Sequence, residues 1–402
     1  MRGRYALPVA PREPSAPWLE LDELELDPHP AHARLRAEAP VAWVPALDGW
    51  LVTRRDDVNA AMRDDVRLTV DDPRFSTGQV LGPSMLSTDG AEHARHRSPF
   101  ARPFRLDAIR ERFTRVADEE AARLVAGFAD EREIELRTRL AGPLAARMML
   151  VALGIDGLPE AEVLAWYAAI VAAVERISAG EPVPQEGRDA YAAFGAAVDA
   201  ALEDADPSAS LLAAALGDAS ALTRDELVAN AAVLLFGGVE TTEGMIANLL
   251  HHLLAAGLLD AAAGDAALLD GAIEESLRLE PAAVRLDRYA TADVELGGAG
   301  IRRGDLVILS LASANRDEAV FADPDAFDPS RADARLHTTF ATGPHVCLGM
   351  HLARLEARAA VRRLVARLPQ LAGDPARPSA PRGLVFRKPP EVWAVSSAAP
   401  IR

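Results

Sequence analysis

The sequence predicts a mainly α-helical protein with small β-sheets at its edges, folded as a single domain over residues 1–402. Three observations support this. Apolar residues recur at intervals of three and four along most of the chain, the period of a helix with one buried face. Extended runs are few and short. No internal repeat and no Gly/Ser-rich linker divides the chain.

The elements follow in order. VAWVPALDGWLVT, Val41 to Thr53, reads as two short strands around an Asp48-Gly49 turn. Helical periodicity then covers Asp107–Phe128, Leu140–Leu153, Glu160–Ile177 and Arg188–Leu202. The longest helix is expected over Arg224–Ala255, and Thr223 and Glu226 before it form a capping box that fixes its start. Ala267–Leu279 is the next helix. Short strands are expected at Val294–Leu296, ending in Gly297-Gly298, and at Leu306–Leu309 after the Gly304-Asp305 turn. A last helix is expected over Cys347–Leu368.

Composition narrows the function. The chain has 43 Lys+Arg against 60 Asp+Glu, a formal net charge of −17. Such a balance argues against nucleic-acid binding, which needs positive charge to replace phosphate counterions. A hydrophobic share of 50% with 26% charged residues is that of a globular protein, not a disordered one. The start, MRGRYALPVAPREPSAPW, shows no export signal. Val228 to Leu259, the most apolar long stretch, is interrupted by Glu240, Glu243 and two histidines, too polar for lipid. A cytoplasmic protein with no membrane or nucleic-acid partner is expected.

One cysteine, Cys347, is present, which excludes disulfides and multi-cysteine metal clusters. A lone cysteine is usually a small buried hydrophobe. Its setting, FATGPHVCLGMHLARLEAR, points elsewhere. Gly343 and Gly349 allow close approach of backbone to a flat ligand. A helix starting at the cysteine supplies amides and a dipole that stabilise a thiolate. One sulfur cannot close a zinc site, but it suffices as the fifth ligand of a haem iron. Haem carries two propionates and needs cationic partners for them. His93 and Arg97, in DGAEHARHR, lie four apart on one helix face and suit that role. His345, two residues before the cysteine, cannot lie far from the haem edge. On the long helix, Gly237-Gly238 precede Glu240 and Thr241. Interior helical glycines cost about 1 kcal/mol each relative to alanine, which suggests a thinned, locally opened helix against which a ligand sits.

Taken together, these residues resemble the cytochrome P-450 family, the haem-thiolate monooxygenases, of the soluble bacterial type. FATGPHVCLG resembles the family's cysteine loop through Phe340, Gly343, His345, Cys347 and Gly349, with Ala341 standing where the pattern has a first glycine. GGVETT resembles the oxygen-activating segment, Glu275 and Arg278 the ExxR pair, and Arg288-Tyr-Ala and ANRDEAVFADPDAFDPSR the stretch beyond it. The matches run from about Trp50 to Glu356. The resemblance implies the cytochrome P-450 fold, with haem b between the long central helix and the cysteine-loop helix. Cys347 would be the axial iron ligand, Glu240 and Thr241 the acid and alcohol that deliver protons, and His93, Arg97, Arg288 and His345 the propionate partners. Glu275 and Arg278 alone read as an i,i+3 ion pair; the resemblance implies a buried scaffold pair. It also places His337 near the haem loop. The substrate pocket it implies draws on Thr77–Leu86, the segment before Gly237, Ala282–Leu286 and the Phe386 region, with Leu86, Leu235, Gly237, Val284, Arg285 and Phe386 as candidates. Arg285 is expected to point to solvent.

The activity so implied is O2-dependent hydroxylation or epoxidation of a small organic molecule in bacterial specialised metabolism. Coupling, cyclisation or nitration on the same haem is an alternative that no motif separates. A non-catalytic helper is a third, disfavoured because Cys347, Glu240 and Thr241 are all present. With 55 residues after Cys347, a fused reductase is not expected, so a ferredoxin and a ferredoxin reductase are the expected electron donors. Arg354, Arg358 and Arg362, four apart, suggest a basic stripe for docking the ferredoxin, with Glu356 nearby.

Overall fold

The computed structural model describes residues 12–155, 157–178, 182–203, 210–213 and 222–396. Near the N-terminal end, β1 (Val41–Val44) and β2 (Gly49–Val52) pair antiparallel. Their connection differs from the expected tight turn. Pro45–Leu47 make a 3-10 turn and Asp48, not Gly49, takes the left-handed conformation at φ 46. Gly49 instead starts β2, where a Cβ would lie 3.2 Å from the Leu306 and Ile308 side chains. Close packing on the neighbouring strand is what fixes glycine there.

Next come α1 (Arg55–Arg63), β3 (Leu68–Thr69), α2 (Gly90–Ala101) and α3 (Leu106–Ala126). β4 (Glu133–Glu135) leads into a π-helical turn, Arg137–Ala141, and then α4 (Gly142–Leu153). Glu135 anchors this start by accepting from the amides of Arg137 and Thr138. α5 (Glu160–Ser178) and α6 (Gln185–Glu203) pack on each other, followed by α7 (Arg224–Ala255). The capping box of α7 is complete: Thr223 Oγ1 accepts from the Glu226 amide, and Glu226 Oε2 accepts from the Thr223 amide at 2.8 Å. α8 (Ala266–Leu279) precedes β5 (Arg285–Ala290), the hairpin of β6 (Val294–Leu296) and β7 (Ala299–Ile301), and β8 (Leu306–Ser310). α9 (Met350–Arg367), β9 (Leu371–Gly373) and β10 (Trp393–Ser396) complete the order.

Five strands form the main sheet in the order β1-β2-β8-β5-β3, with β2 and β8 parallel and the other pairs antiparallel. A second sheet has the order β4-β10-β9. The largest apolar core surrounds α7, whose buried positions extend around much of the helix, and draws on α3, α4, α8 and α9. A helix apolar on most sides belongs at the centre.

The adjacent glycines Gly237 and Gly238 of α7 divide their work. A Cβ on Gly238 would lie 2.1 Å from Met149 Sδ, so this glycine lets α4 approach closely. A Cβ on Gly237 would meet no atom within 4 Å. The helix is not interrupted at either position; the expected local opening is confined to the side-chain layer.

Candidate active site

Cys347 ends a loop that leads into α9. Gly343, at φ 76, lets this loop lie against α1, where a Cβ would come within 2.8 Å of the Met62 carbonyl oxygen. A 3-10 turn at Gly343–His345 and a bond from the Cys347 amide to the Phe340 carbonyl, 2.8 Å, fix the loop. The helix begins at Met350, three residues later than expected. Its first amides nevertheless reach the sulfur, since those of Gly349 and Met350 both stabilise charge there. Burial still dominates and pushes the thiol above its ordinary range, with the charges of Arg97 and Arg354 in partial opposition. The amides alone therefore leave a protonated thiol, and a bound metal would complete its deprotonation. Cys347 keeps accessible surface, and on α7 Gly237 is also exposed.

Beside the sulfur lies a cluster of cationic and imidazole groups. Arg97 donates to the Val346 carbonyl, next to the cysteine. His93, one turn earlier on α2, packs against His345 with ring centroids 4.3 Å apart and ring planes tilted by 41°. Its Nε2 is buried and has no partner among the described residues. Burial, then the charges of His345 and Arg97, bring it down to about 4, so it is neutral at pH 7. His345 Nε2 donates to Asp89 Oδ1 at 2.6 Å, and the other oxygen of Asp89 takes bonds from Thr69 Oγ1 and the Val70 amide. Arg288, on β5, is 5% exposed. Its guanidinium donates to the Asp287 carbonyl at 2.9 Å and forms no carboxylate ion pair among the described residues. It too feels the charge of Asp89. A buried guanidinium without an anion is costly, so this cluster is short of negative charge.

Asp89 itself makes a testable contribution. Burial pushes its carboxyl up, but the bonds from His345 and Thr69 outweigh this and bring it to about 2. A lowered carboxyl stabilises the fold above its ordinary range, and that contribution disappears as pH falls through the folded value. Asp89→Asn is therefore expected to lower the melting temperature at neutral pH, and the gap to wild type should close between about pH 4 and pH 2. A gap independent of pH would contradict this role.

On α7, Thr241 donates its hydroxyl to the Gly237 carbonyl, one turn earlier. Glu240, next to it in sequence, is held by two donors: Oε2 accepts from the Tyr167 hydroxyl at 2.9 Å and Oε1 from Lys388 Nζ at 2.7 Å. Glu275 and Arg278 are both fully buried and joined by two bonds of 2.7 and 2.8 Å. Arg278 also donates to the carbonyls of Asn315, Pro324 and Ala326, and Glu275 accepts from Arg331 and the Asp328 amide. The exposed ion pair that the spacing alone suggested is in fact the centre of a buried network.

Known proteins decide the family. The family profile described as cytochrome P-450 matches residues 263–392. The cytochrome P-450 monooxygenase PikC of Streptomyces venezuelae is 34% identical over 96% of this chain and 95% of its own length. This chain belongs to the cytochrome P-450 family. The vitamin D(3) 25-hydroxylase of Pseudonocardia autotrophica is 34% identical, over 86% of this chain and 87% of its own. Among solved structures, the cytochrome P-450 CYP109Q5 of Chondromyces apiculatus superposes with a TM-score of 0.83 at 26% identity, covering 95% of this chain and 99% of that one. As a cytochrome P-450 the protein is a monooxygenase that uses haem iron, O2 and electrons from a partner. Among the described residues, no helix is long and apolar enough to cross a membrane.

The residues present fit a haem. Cys347 is exposed, a Cβ on Gly237 would meet open space, and an anion-poor cluster of Arg97, His93, His345 and Arg288 lies beside the cysteine loop, suited to two carboxylates. Of the pocket candidates, Leu235 is buried on α7, Leu86 packs against the main core, and Phe386 meets Phe236 edge-on at 5.5 Å. Phe236 and Tyr167, 6.4 Å apart, extend this aromatic wall. Val284 and Arg285 line a cavity of about 30 Å³ with Leu24, His32 and Leu384, and the Val284 amide donates to the Val385 carbonyl, next to Phe386. Strand alternation puts Arg285 on the sheet face opposite Arg288. Its side chain is 19% exposed and sits 3.5 Å from Asp287, so it does not point freely to solvent as expected.

The arginine stripe on α9 is also altered by its partners. Arg354 makes a two-bond pair with Glu274 and stacks over Phe340 at 4.6 Å. Arg358 pairs with Asp270. Arg362 alone of the three is exposed without such a partner among the described residues. Glu356 does not border the stripe but lies in the core, 1% exposed, and burial pushes its carboxyl well above the usual carboxylate range. His337, which the family likeness placed near the haem loop, is held by Glu274 at 3.2 Å, and its ring lies 5.9 Å from that of Phe340 in the loop. Sequence reasoning missed Asp89, Glu274, Tyr167 and Lys388. Only Lys388 carried a signal, as the one lysine of the chain.

Proposed function

We propose that this cytochrome P-450 binds haem b with Cys347 as its axial thiolate and hydroxylates or epoxidises a small, mainly apolar natural product. The observation that carries the reading is the buried, anion-poor cluster of Arg288, His93, His345 and Arg97 beside the chain's one cysteine. Bound haem supplies O2 binding and O–O cleavage, which a thiolate ligand favours. The chain supplies the rest. Arg97, Arg288, His93 and His345 hold the propionates by charge-assisted hydrogen bonds. The Glu275–Arg278 network fixes the segment that carries the cysteine loop. Thr241, on turning its hydroxyl from the Gly237 carbonyl, presents a proton at the open face of α7, and Glu240 replenishes it.

Two features support the substrate class. The wall formed by Phe236, Phe386 and Tyr167 offers an aromatic, largely apolar surface. Relatives at comparable identity include the mycinamicin IV hydroxylase/epoxidase of Micromonospora griseorubida, 33% identical over 80% of this chain. We assign electron supply to a ferredoxin and its reductase, with Arg362 and the rim of α9 as the docking face.

Thr241→Ala is expected to bind haem normally while most electrons from NADH are recovered as hydrogen peroxide, with product formation falling by about tenfold or more. Unchanged coupling of electrons to product would remove Thr241 from this role. Screening natural products for a spin-state shift, followed by product analysis, tests the proposal as a whole. Oxygen inserted into a carbon skeleton supports it; products formed only by coupling or nitration contradict it.

A further inference from the structure

The only lysine of the chain sits between two carboxylates. Lys388 Nζ donates to Glu240 Oε1 at 2.7 Å and to Glu243 Oε2 at 2.8 Å. All three side chains are largely buried, at 19%, 19% and 12% exposure. Glu240 and Glu243 lie three apart on α7 and repel each other, so one ammonium between them relieves both. Gly244 lets Ala282 approach α7, since a Cβ there would lie 2.9 Å from Ala282 Cβ, and the Lys388 stem lies at ordinary contact distance, 3.7 Å, from the same point.

The lysine is delivered by a fixed loop. Its backbone pairs with that of Arg382. The adjoining Arg387 is buried and donates to Glu280 and to the carbonyls of Glu25 and Leu26. Outward from Lys388 the chain of bonds continues. Glu243 Oε1 accepts from Arg137 Nη1 at 2.6 Å, and Arg137 Nε donates to the Pro390 carbonyl at 2.7 Å. Arg137 and Pro390 line a surface cleft of about 380 Å³ together with Glu131, Glu133, Thr138 and Trp393. Inward, the chain ends at Glu240, which Tyr167 also holds.

We propose that Lys388 is a positioning residue for Glu240, and that Glu240–Lys388–Glu243 is the path by which Glu240 exchanges protons with water in this cleft. The inference rests on the reading of Glu240 as the acid. The Lys388 ammonium gives a proton to the Glu240 carboxylate, which passes it toward Thr241, and the resulting amine takes a proton back from Glu243, which draws it from water in the cleft. Arg137 stays charged throughout and orients Glu243. Tyr167, on α5, is a further titratable group bonded to Glu240.

A single lysine makes the test direct, because holoprotein grown with 15N-labelled lysine gives one side-chain ammonium signal. The expected signal is protected from solvent exchange and shifts in Glu240→Gln; one that exchanges like a free lysine and ignores Glu240→Gln overturns the positioning role. NADH oxidation with a surrogate ferredoxin and reductase is then followed against pH in H2O and D2O. Lys388→Met should lower the rate about tenfold, raise the solvent isotope effect and move the pH profile, while Lys388→Arg restores the rate to within about twofold. Glu243→Gln should share the raised isotope effect. Ferrous carbon-monoxide spectra and melting temperatures establish that each variant is folded and loaded. An isotope effect altered by Glu240→Gln but not by Lys388→Met or Glu243→Gln overturns the path alone. One unaltered by Glu240→Gln overturns the acid role and the path together.

Discussion

Glu275→Leu is expected to destabilise the protein by about 3–5 kcal/mol, the cost of leaving a buried charge unpaired. The reason is the number of groups the carboxylate serves. It holds Arg278, which is fully buried, and Arg331, whose side chain is 9% exposed, and it caps the Asp328 amide. The leucine leaves the buried Arg278 without its carboxylate, and Arg331 with Asp333 alone, 3.9 Å away. A loss of that size is a large share of a typical total of about 5–15 kcal/mol, and much of the variant should fail to retain haem. Arg34 and Glu38 are the control, an i,i+4 pair with both side chains more than half exposed, at 51% and 63%. Glu38→Leu should change stability by no more than about 0.5 kcal/mol. Denaturant unfolding of the three proteins checks this, and a Glu275→Leu cost below about 1 kcal/mol would contradict the scaffold role.

Cys347→Ser is expected to abolish product formation while leaving the apoprotein folded. The loop around the cysteine is fixed by bonds that do not use its sulfur: the Cys347 amide to the Phe340 carbonyl, and Arg97 to the Val346 carbonyl. A serine hydroxyl fits the same space but does not become the electron-rich thiolate that favours O–O cleavage. The melting temperature of the apoprotein should stay close to that of wild type, and thiol labelling of the denatured chains should fall from one group to none. A serine variant that still forms product would contradict the assignment of Cys347 as the iron ligand.

What the chain reveals by itself follows the range of the interactions. The bounds of α7 and its capping box are written in residues three apart, and β6 is marked by the Gly297-Gly298 turn, so both were legible. β5 was not, because RLDRYA lacks the alternation of a half-buried strand and is defined by β3 and β8 on either side. The cysteine loop was legible because its chemistry is local. The start of α9 was misread by three residues, since an apolar run does not say where backbone φ turns helical. Partners distant in sequence were out of reach. Lys388 meets Glu240 across 148 positions, and His345 meets Asp89 across 256. For the same reason the Arg354 and Arg358 spacing was visible while their neutralising partners on α8, Glu274 and Asp270, were not. Periodicity records that a face exists, and only the fold says what it faces.

The most direct measurement is the absorbance of the carbon-monoxide complex of freshly prepared, reduced protein. Thiolate ligation by Cys347 predicts the long-wavelength band that marks a sulfur-bound haem, present in wild type and absent from Cys347→Ser. A wild-type band at the position of a histidine-ligated haem would contradict it.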